Sequence, residues 1–230
     1  DVTHTFKGTF DGAGYTLTIN NNTAAGCTAP FRFVDGATIR NLHVAGTITS
    51  SEQFASGFVG EVVYGHDVNI TNCRSSVAIN SNVSSSNNGY GTHGGFVGAA
   101  QYIVNIPGCI FDGSFTTTNG THSCGGFIGY SWVGSEHMHI SNSVLAPTSV
   151  SSGMLDKTFV RYGSGTPDIT NCYYIPVTNM PTNQGKETHT ITAGTNVTSL
   201  AIDGTATEYN VSGITAYEGS NGLKYGSTVY

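Results

Sequence analysis

Gly57-Phe58-Val59-Gly60 returns as Gly95 to Gly98 and as Gly126 to Gly129, with looser versions at Phe31-Arg32-Phe33 and Phe159-Val160. After a variable loop, each copy leads to a second signal. Ile70-Thr71-Asn72-Cys73 has counterparts in Ile39-Arg40-Asn41-Leu42, Ile106-Pro107-Gly108-Cys109, Ile140-Ser141-Asn142-Ser143 and Ile169-Thr170-Asn171-Cys172. The isoleucines stand 31, 36, 34 and 29 residues apart. Self-similarity at such a period marks a unit that buries its apolar face only by stacking on its neighbours.

The third position of the second signal identifies the geometry. It reads Asn41, Asn72, Gly108, Asn142 and Asn171. Asparagine and glycine share little beyond tolerance of a positive φ, so each marks a sharp bend between two strands. A rung is then the Gly-Phe-Val-Gly strand, a loop, a strand ending at the isoleucine, the bend, and a third strand. In the second rung that third strand alternates, with Cys73, Ser75, Val77 and Ile79 on one side. Rungs stacked at about 4.8 Å align the asparagines, whose amides then bond from rung to rung. The expected fold is all-β, a right-handed parallel β-helix with a short β-rich C-terminal segment. Residues 1–184 form about five to six rungs. Residues 185–230, with strand-like stretches at Thr188 to Ile202 and Glu208 to Tyr230, form a cap or the start of a following module.

These residues also carry a resemblance. The repeat of GGFVG, loop and I-x-N-C resembles the GLUG motif of bacterial surface proteins, including the non-catalytic region of some immunoglobulin A peptidases. The opening Phe6-Lys7-Gly8-Thr9-Phe10-Asp11-Gly12-Ala13-Gly14-Tyr15-Thr16-Leu17 resembles the first rung of pectate-lyase-like β-helices. The likeness spans roughly residues 6 to 180. It implies a bacterial cell-surface or secreted location. It does not by itself imply an activity, because this architecture hosts lyases, hydrolases, adhesins and spacers.

Composition narrows the function classes. Charged residues make up 10% of the chain and the net charge is −6, so the basic stripe that nucleic acid requires is missing. No apolar run approaches the ~20 residues of a membrane span. A chain running from Asp1-Val2 to Thr228-Val229-Tyr230 is expected to belong to a larger multidomain protein. Five cysteines leave at least one unpaired, so no disulfide framework is expected. Cys73, Cys109 and Cys172 share one inward position after the bend, and parallel stacking points their Cβ vectors side by side. They are expected to be buried free thiols. In the opening rung, Phe6 and Phe10 are expected to face inward.

Catalysis on this architecture uses clustered carboxylates. Asp11, Asp35, Asp112 and Asp203 each precede glycine, which is turn chemistry, and Asp67, Asp156 and Asp168 stand apart. Arg32, Arg40, Arg74 and Arg161 lie on different rungs, with no acidic neighbour expected at matching positions. No catalytic residue is assigned, and a polysaccharide lyase or glycoside hydrolase is the alternative reading. His93 and Cys124 share a repeat position, His122 is near, and His137 and His139 share a strand face. Zinc needs three or four ligands, and the repeat aligns two, so no metal site is assigned and no cofactor is implied. The aromatics Tyr64, Tyr90, Tyr102, Tyr130 and Trp132 lie in or beside loops that should leave one side of the solenoid. Such rings stack on sugars or anchor a protein partner. The expected function is a non-catalytic adhesin or stalk that binds an extracellular glycan or host surface protein.

Overall fold

The computed structural model describes residues 4–84, 91–119, 123–161, 164–170 and 172–187, together with the backbone of short strands between 201 and 229. Its parallel sheets form a β-solenoid of about 5 turns. One wall is built from Phe31–Val34, Val59–Val62, Val97–Ala100 and Ile128–Ser131, which are the Gly-Phe-Val-Gly strands and their looser first copy. A second wall runs Thr9–Asp11, Thr38–Arg40, Val68–Thr71, Val104–Pro107, Met138–Ser141 and Asp168–Thr170. The third begins Thr16–Thr23, His43–Ser50 and Arg74–Ser81, with later rungs split into shorter strands. Every pairing between these rungs is parallel, with Ile39 opposite Ile70, Ile106 opposite Ile140 and Ile140 opposite Ile169.

Identical side chains therefore meet themselves one rung away. Phe58, Phe96, Phe127 and Phe159 are fully buried, and successive ring centroids lie 5.0, 4.8 and 5.1 Å apart. The isoleucine column on the second wall closes the same core, continuous from rung to rung.

The bend after the isoleucine has the expected conformation. Asn41, Asn72, Gly108 and Asn142 have φ of 52°, 54°, 67° and 51°; Asn171 lies outside the described residues. The amides also connect, with Asn72 Nδ2 donating to Asn41 Oδ1 at 2.8 Å. Asn41 Nδ2 in turn donates to Asp11 Oδ1 at 3.1 Å, so an aspartate begins the ladder.

A second left-handed bend was not legible. Cys27, Phe54, Thr92 and Ser123 have φ of 56°, 67°, 44° and 49°. Each stands four residues before Phe31, Phe58, Phe96 or Phe127, so this bend enters the first wall in every full rung. Its residue types do not favour positive φ, and for a β-branched threonine that conformation is an outlier. The neighbouring rungs impose it: Cys27 N donates to Gln53 O at 2.9 Å and Phe54 N to Gly91 O at 3.1 Å.

The cysteines are free and buried. Cys73 N donates to Cys109 Sγ at 3.4 Å, and Cys109 N to Ser143 Oγ at 3.0 Å. Their side chains donate in turn to bend carbonyls: Cys73 Sγ to Thr71 O at 3.3 Å, and Ser143 Oγ to Ser141 O at 2.9 Å. A thiol and a hydroxyl thus do the same work, which accounts for serine in this column. Burial pushes the Cys27, Cys124 and Cys172 thiols up to about 12 and raises Cys73 as well. Because the thiolate is the nucleophile, an aromatic disulfide reagent at pH 8 is expected to modify Cys27, Cys124 and Cys172 about a thousandfold more slowly in the folded chain than in the unfolded one. Rapid labelling of any cysteine in the native protein would contradict this packing.

The two ends differ. At the C-terminal end, side chains replace a missing strand. Gln184 Oε1 accepts from Phe159 N and Val160 N, both at 2.9 Å, while its Nε2 donates to Val160 O at 3.0 Å. Asn183 Oδ1 accepts from Thr158 N at 3.1 Å. Beyond it, Tyr209–Val211, Ile214–Gly219, Gly222–Tyr225 and Thr228–Val229 form an antiparallel meander, whereas residues 188–200 of the expected strands lie outside the described residues. At the N-terminal end the expectation for Phe10 is corrected. Phe10 is 39% exposed and Tyr15 71%, and Phe6 is only half-buried against Phe31. Among the described residues, Thr9–Asp11 pairs on one side only, so no rung covers its outer edge.

Candidate ligand-binding face

The loops that join the first wall to the second leave it in register. Val62, Ala100 and Ser131 stand opposite one another, Gln101 N donates to Val62 O at 2.7 Å, and Trp132 N donates to Ala100 O at 2.8 Å. Continuing that register one residue further puts Tyr64, Tyr102 and Val133 in a column. Tyr64 and Tyr102 meet edge to face, with centroids 5.3 Å apart, and Tyr64 remains 74% exposed. With Ile103, Val133 and His137 they line a notch of about 180 Å³.

Tyr130 and Trp132 form a second platform. Their rings are 4.6 Å apart and near a T-shape, and Trp132 is 56% exposed. Phe54, the residue at the second bend, lies 5.9 Å from Tyr130 and 6.3 Å from Trp132. From the other side, the buried guanidinium of Arg161 stands 5.4 Å from the Tyr130 centroid. Four of the five aromatics expected to share a face thus resolve into two platforms joined through Trp132-Val133; the fifth, Tyr90, lies outside the described residues. Sequence reasoning missed Phe54 and Arg161. The periodic signal for Phe54 exists, four residues before Phe58, but nothing in the residue type suggests a left-handed bend there.

Both platforms expose one ring and brace it with another. A braced ring loses little conformational freedom on binding and offers an apolar face with a polar edge.

The charged residues require a correction. Two arginines do meet aspartates on neighbouring rungs, one at a matching position and one diagonally. Asp11 stands opposite Arg40 in the ladder, and Arg40 Nε donates to Asp11 Oδ2 at 2.9 Å. The repeat does not reveal this pair, because the first rung lacks the isoleucine-bend signal that aligns the others. Arg74 Nε donates to Asp112 Oδ2 at 3.0 Å, and its Nη2 reaches the same oxygen. These side chains are 6% and 9% exposed, so Asp112 serves as a buried ionic partner and not only as a turn residue. Asp35 accepts from Lys7 Nζ at 2.8 Å and from His66 Nδ1 at 2.9 Å. The bond from Lys7, then that from His66, holds its carboxyl below the usual carboxylate range. The backbone N–H of Ala13 does the same for Asp11.

His43 and Ser76 have the spacing of a base and a nucleophile, with His43 Nε2 2.8 Å from Ser76 Oγ. The polarity is reversed, however. Ser76 donates its single proton to Asp112 Oδ1, so the imidazole donates to the hydroxyl and does not take its proton. The other ring nitrogen of His43 is 3.1 Å from Thr16 Oγ1, closing a chain of side chains along the third wall.

The histidine readings end similarly. His93 and Cys124 do stack on adjacent rungs, with His93 N donating to Cys124 Sγ at 3.2 Å. The ring of His93 is engaged at both nitrogens, accepting from Ala55 N at 3.0 Å and meeting Ser81 Oγ at 2.8 Å. His139 lies 3.5 Å from Asp168, and His137 4.0 Å from Glu136, as separate pairs. His122 lies outside the described residues. Among the described residues, no three His, Cys, Asp or Glu side chains converge as a metal site would require, and no helix is long and apolar enough to cross a membrane.

No family model, no curated protein and no solved structure matches this chain.

Proposed function

We propose that this chain is a non-catalytic β-helix module of a bacterial surface or secreted protein, and that it binds an extracellular glycan through its two loop platforms. One observation carries the reading. Tyr64 and Trp132 remain 74% and 56% exposed, although each is braced by a neighbouring ring. A lone exposed aromatic needs no explanation, but two braced ones on in-register loops make a rigid stacking surface. Its apolar faces suit the C–H faces of sugar rings, and the tyrosine hydroxyls suit their hydroxyl groups.

The carboxylates support the non-catalytic part. Asp11, Asp35 and Asp112 are each tied to a basic side chain that links one rung to another. Groups so engaged hold the solenoid together and are poor candidates for proton transfer.

The test is a glycan-array screen of the purified chain, with polysaccharide-degradation assays on the same panel. Binding without turnover is expected. Replacing Tyr130 and Trp132 together with alanine should then weaken binding at least about tenfold while leaving the far-UV circular dichroism unchanged. Turnover on any polysaccharide, or undiminished binding by the double variant, would defeat the proposal.

A further inference from the structure

The amide ladder has one missing step. Asp11, Asn41 and Asn72 form a connected run along the bend edge of the solenoid, and the next rung supplies Gly108. The backbone there is unchanged, since Gly108 has φ of 67° beside 54° for Asn72 and 51° for Asn142. Only the side chain is lacking. As a result Asn72, which is 4% exposed and spends its Nδ2 on Asn41, has a buried Oδ1 with no hydrogen-bond partner among the described residues. An unpaired buried carbonyl is costly and rare.

Asn72 lines a groove of about 360 Å³, together with Asp11, Arg40, Asn41, Thr71, Pro107, Gly108 and Asn142. The groove lies at the ends of the second-wall strands opposite to the aromatic loops, because the loops precede these strands and the bends follow them. It is therefore a separate site.

We propose that the groove binds the acetamido group of an N-acetylated amino sugar at the Gly108 step. This inference rests on the glycan reading above and gives it a sugar class. The chemistry follows from what the ladder lacks. An asparagine at position 108 would put an amide one rung, about 4.8 Å, beyond Asn72. An acetamido group brings the same functional group from outside. Its N–H donates to Asn72 Oδ1, and its methyl lies against the ring of Pro107. A sugar bearing a hydroxyl in place of the acetamido group lacks the atoms to span the step.

The test is a titration of the isotope-labelled chain with N-acetylglucosamine, with glucose and with acetamide, read at the backbone amide signals of Asn72 and Gly108 and at the side-chain amide of Asn72. Saturable shifts with N-acetylglucosamine, at least about tenfold weaker with glucose, are expected. Gly108→Asn fills the step with the ladder's own amide in a backbone that already suits it, and should abolish those shifts while raising the melting temperature. If that variant does not fold, the comparison of the sugars on the natural chain carries the test alone. Absent shifts, equal response to glucose, or binding that survives in Gly108→Asn would overturn the proposal. Acetamide binding as tightly as the sugar would mark a receptor for side-chain amides, and would equally overturn the sugar assignment. Loss of binding in the Tyr130 and Trp132 variant leaves these signals untouched, so failure at one site is distinguishable from failure at the other.

Discussion

Gly98→Ala is expected to destabilise the solenoid by about 3 kcal/mol or more, at the upper end of overpacking effects. A Cβ at this position would stand 2.1 Å from Phe54 O and 2.7 Å from Gly60 O, both backbone atoms that no rotamer change can move. The same contact recurs on neighbouring rungs. A Cβ on Gly60 would meet Cys27 O at 2.1 Å, and one on Gly129 would meet Thr92 O at 2.2 Å. The second glycine of each repeat thus lies beneath the carbonyl of the second bend. Its absence of a side chain, and not a special φ, is what the fold requires. The effect should also reach function, since Phe54 is both the bend residue displaced and the brace beneath Tyr130 and Trp132. Gly26→Ala is the control, because the nearest atom to its Cβ is at 3.6 Å, an ordinary contact. Urea unfolding of the two variants decides the matter. Equal midpoints would mean that the bend relaxes without cost.

Phe127→Ala should cost about 3–5 kcal/mol, the range for deleting a fully buried aromatic. Phe127 is sandwiched between Phe96 and Phe159 at 4.8 and 5.1 Å, so two ring pairs are lost with one side chain. In a solenoid each rung is stabilised mainly by its neighbours. The loss should therefore appear as faster amide exchange in rungs adjoining Phe127 before it appears elsewhere. Phe127→Leu retains most of the volume and should cost clearly less. A loss below about 1 kcal/mol for the alanine variant would mean that the column is filler and not a structural spine.

The two substitutions mark what was and was not readable in advance. The phenylalanine column was legible because a parallel stack brings equal positions together. A requirement for an apolar ring at one position then recurs in the sequence at every rung. The isoleucine column, the Asn/Gly bend and the row of Cys73, Cys109, Ser143 and Cys172 were legible for the same reason. The glycine flanking each phenylalanine was visible as a pattern, but the partner that demands it was not. Cys27, Phe54, Thr92 and Ser123 have no side-chain chemistry in common, so a second bend left no mark on residue type.

Contacts between unequal positions were least legible. Arg74 reaches Asp112 diagonally, since its direct partner in the ladder is Ile110. Arg40 and Asp11 do stand at equal positions, but the first rung lacks the isoleucine-bend signal that aligns the others. The aromatic loops vary in length from rung to rung, so which ring braces which depends on how the loops fold over their neighbours.

By itself the sequence determined a parallel stack of about five turns, its inward columns, its first bend and its buried thiols. Each of these is a demand that one position makes on the same position in the next rung, and repetition writes it down. The tertiary structure decided the second bend, the ion pairs, the split of the aromatics into two platforms and the unpaired amide beside Gly108. These depend on backbone hydrogen bonds, on distances between unlike positions, and in the Asp11–Arg40 pair on a first rung that lacks the repeat's signal. Repetition along a chain carries no record of them.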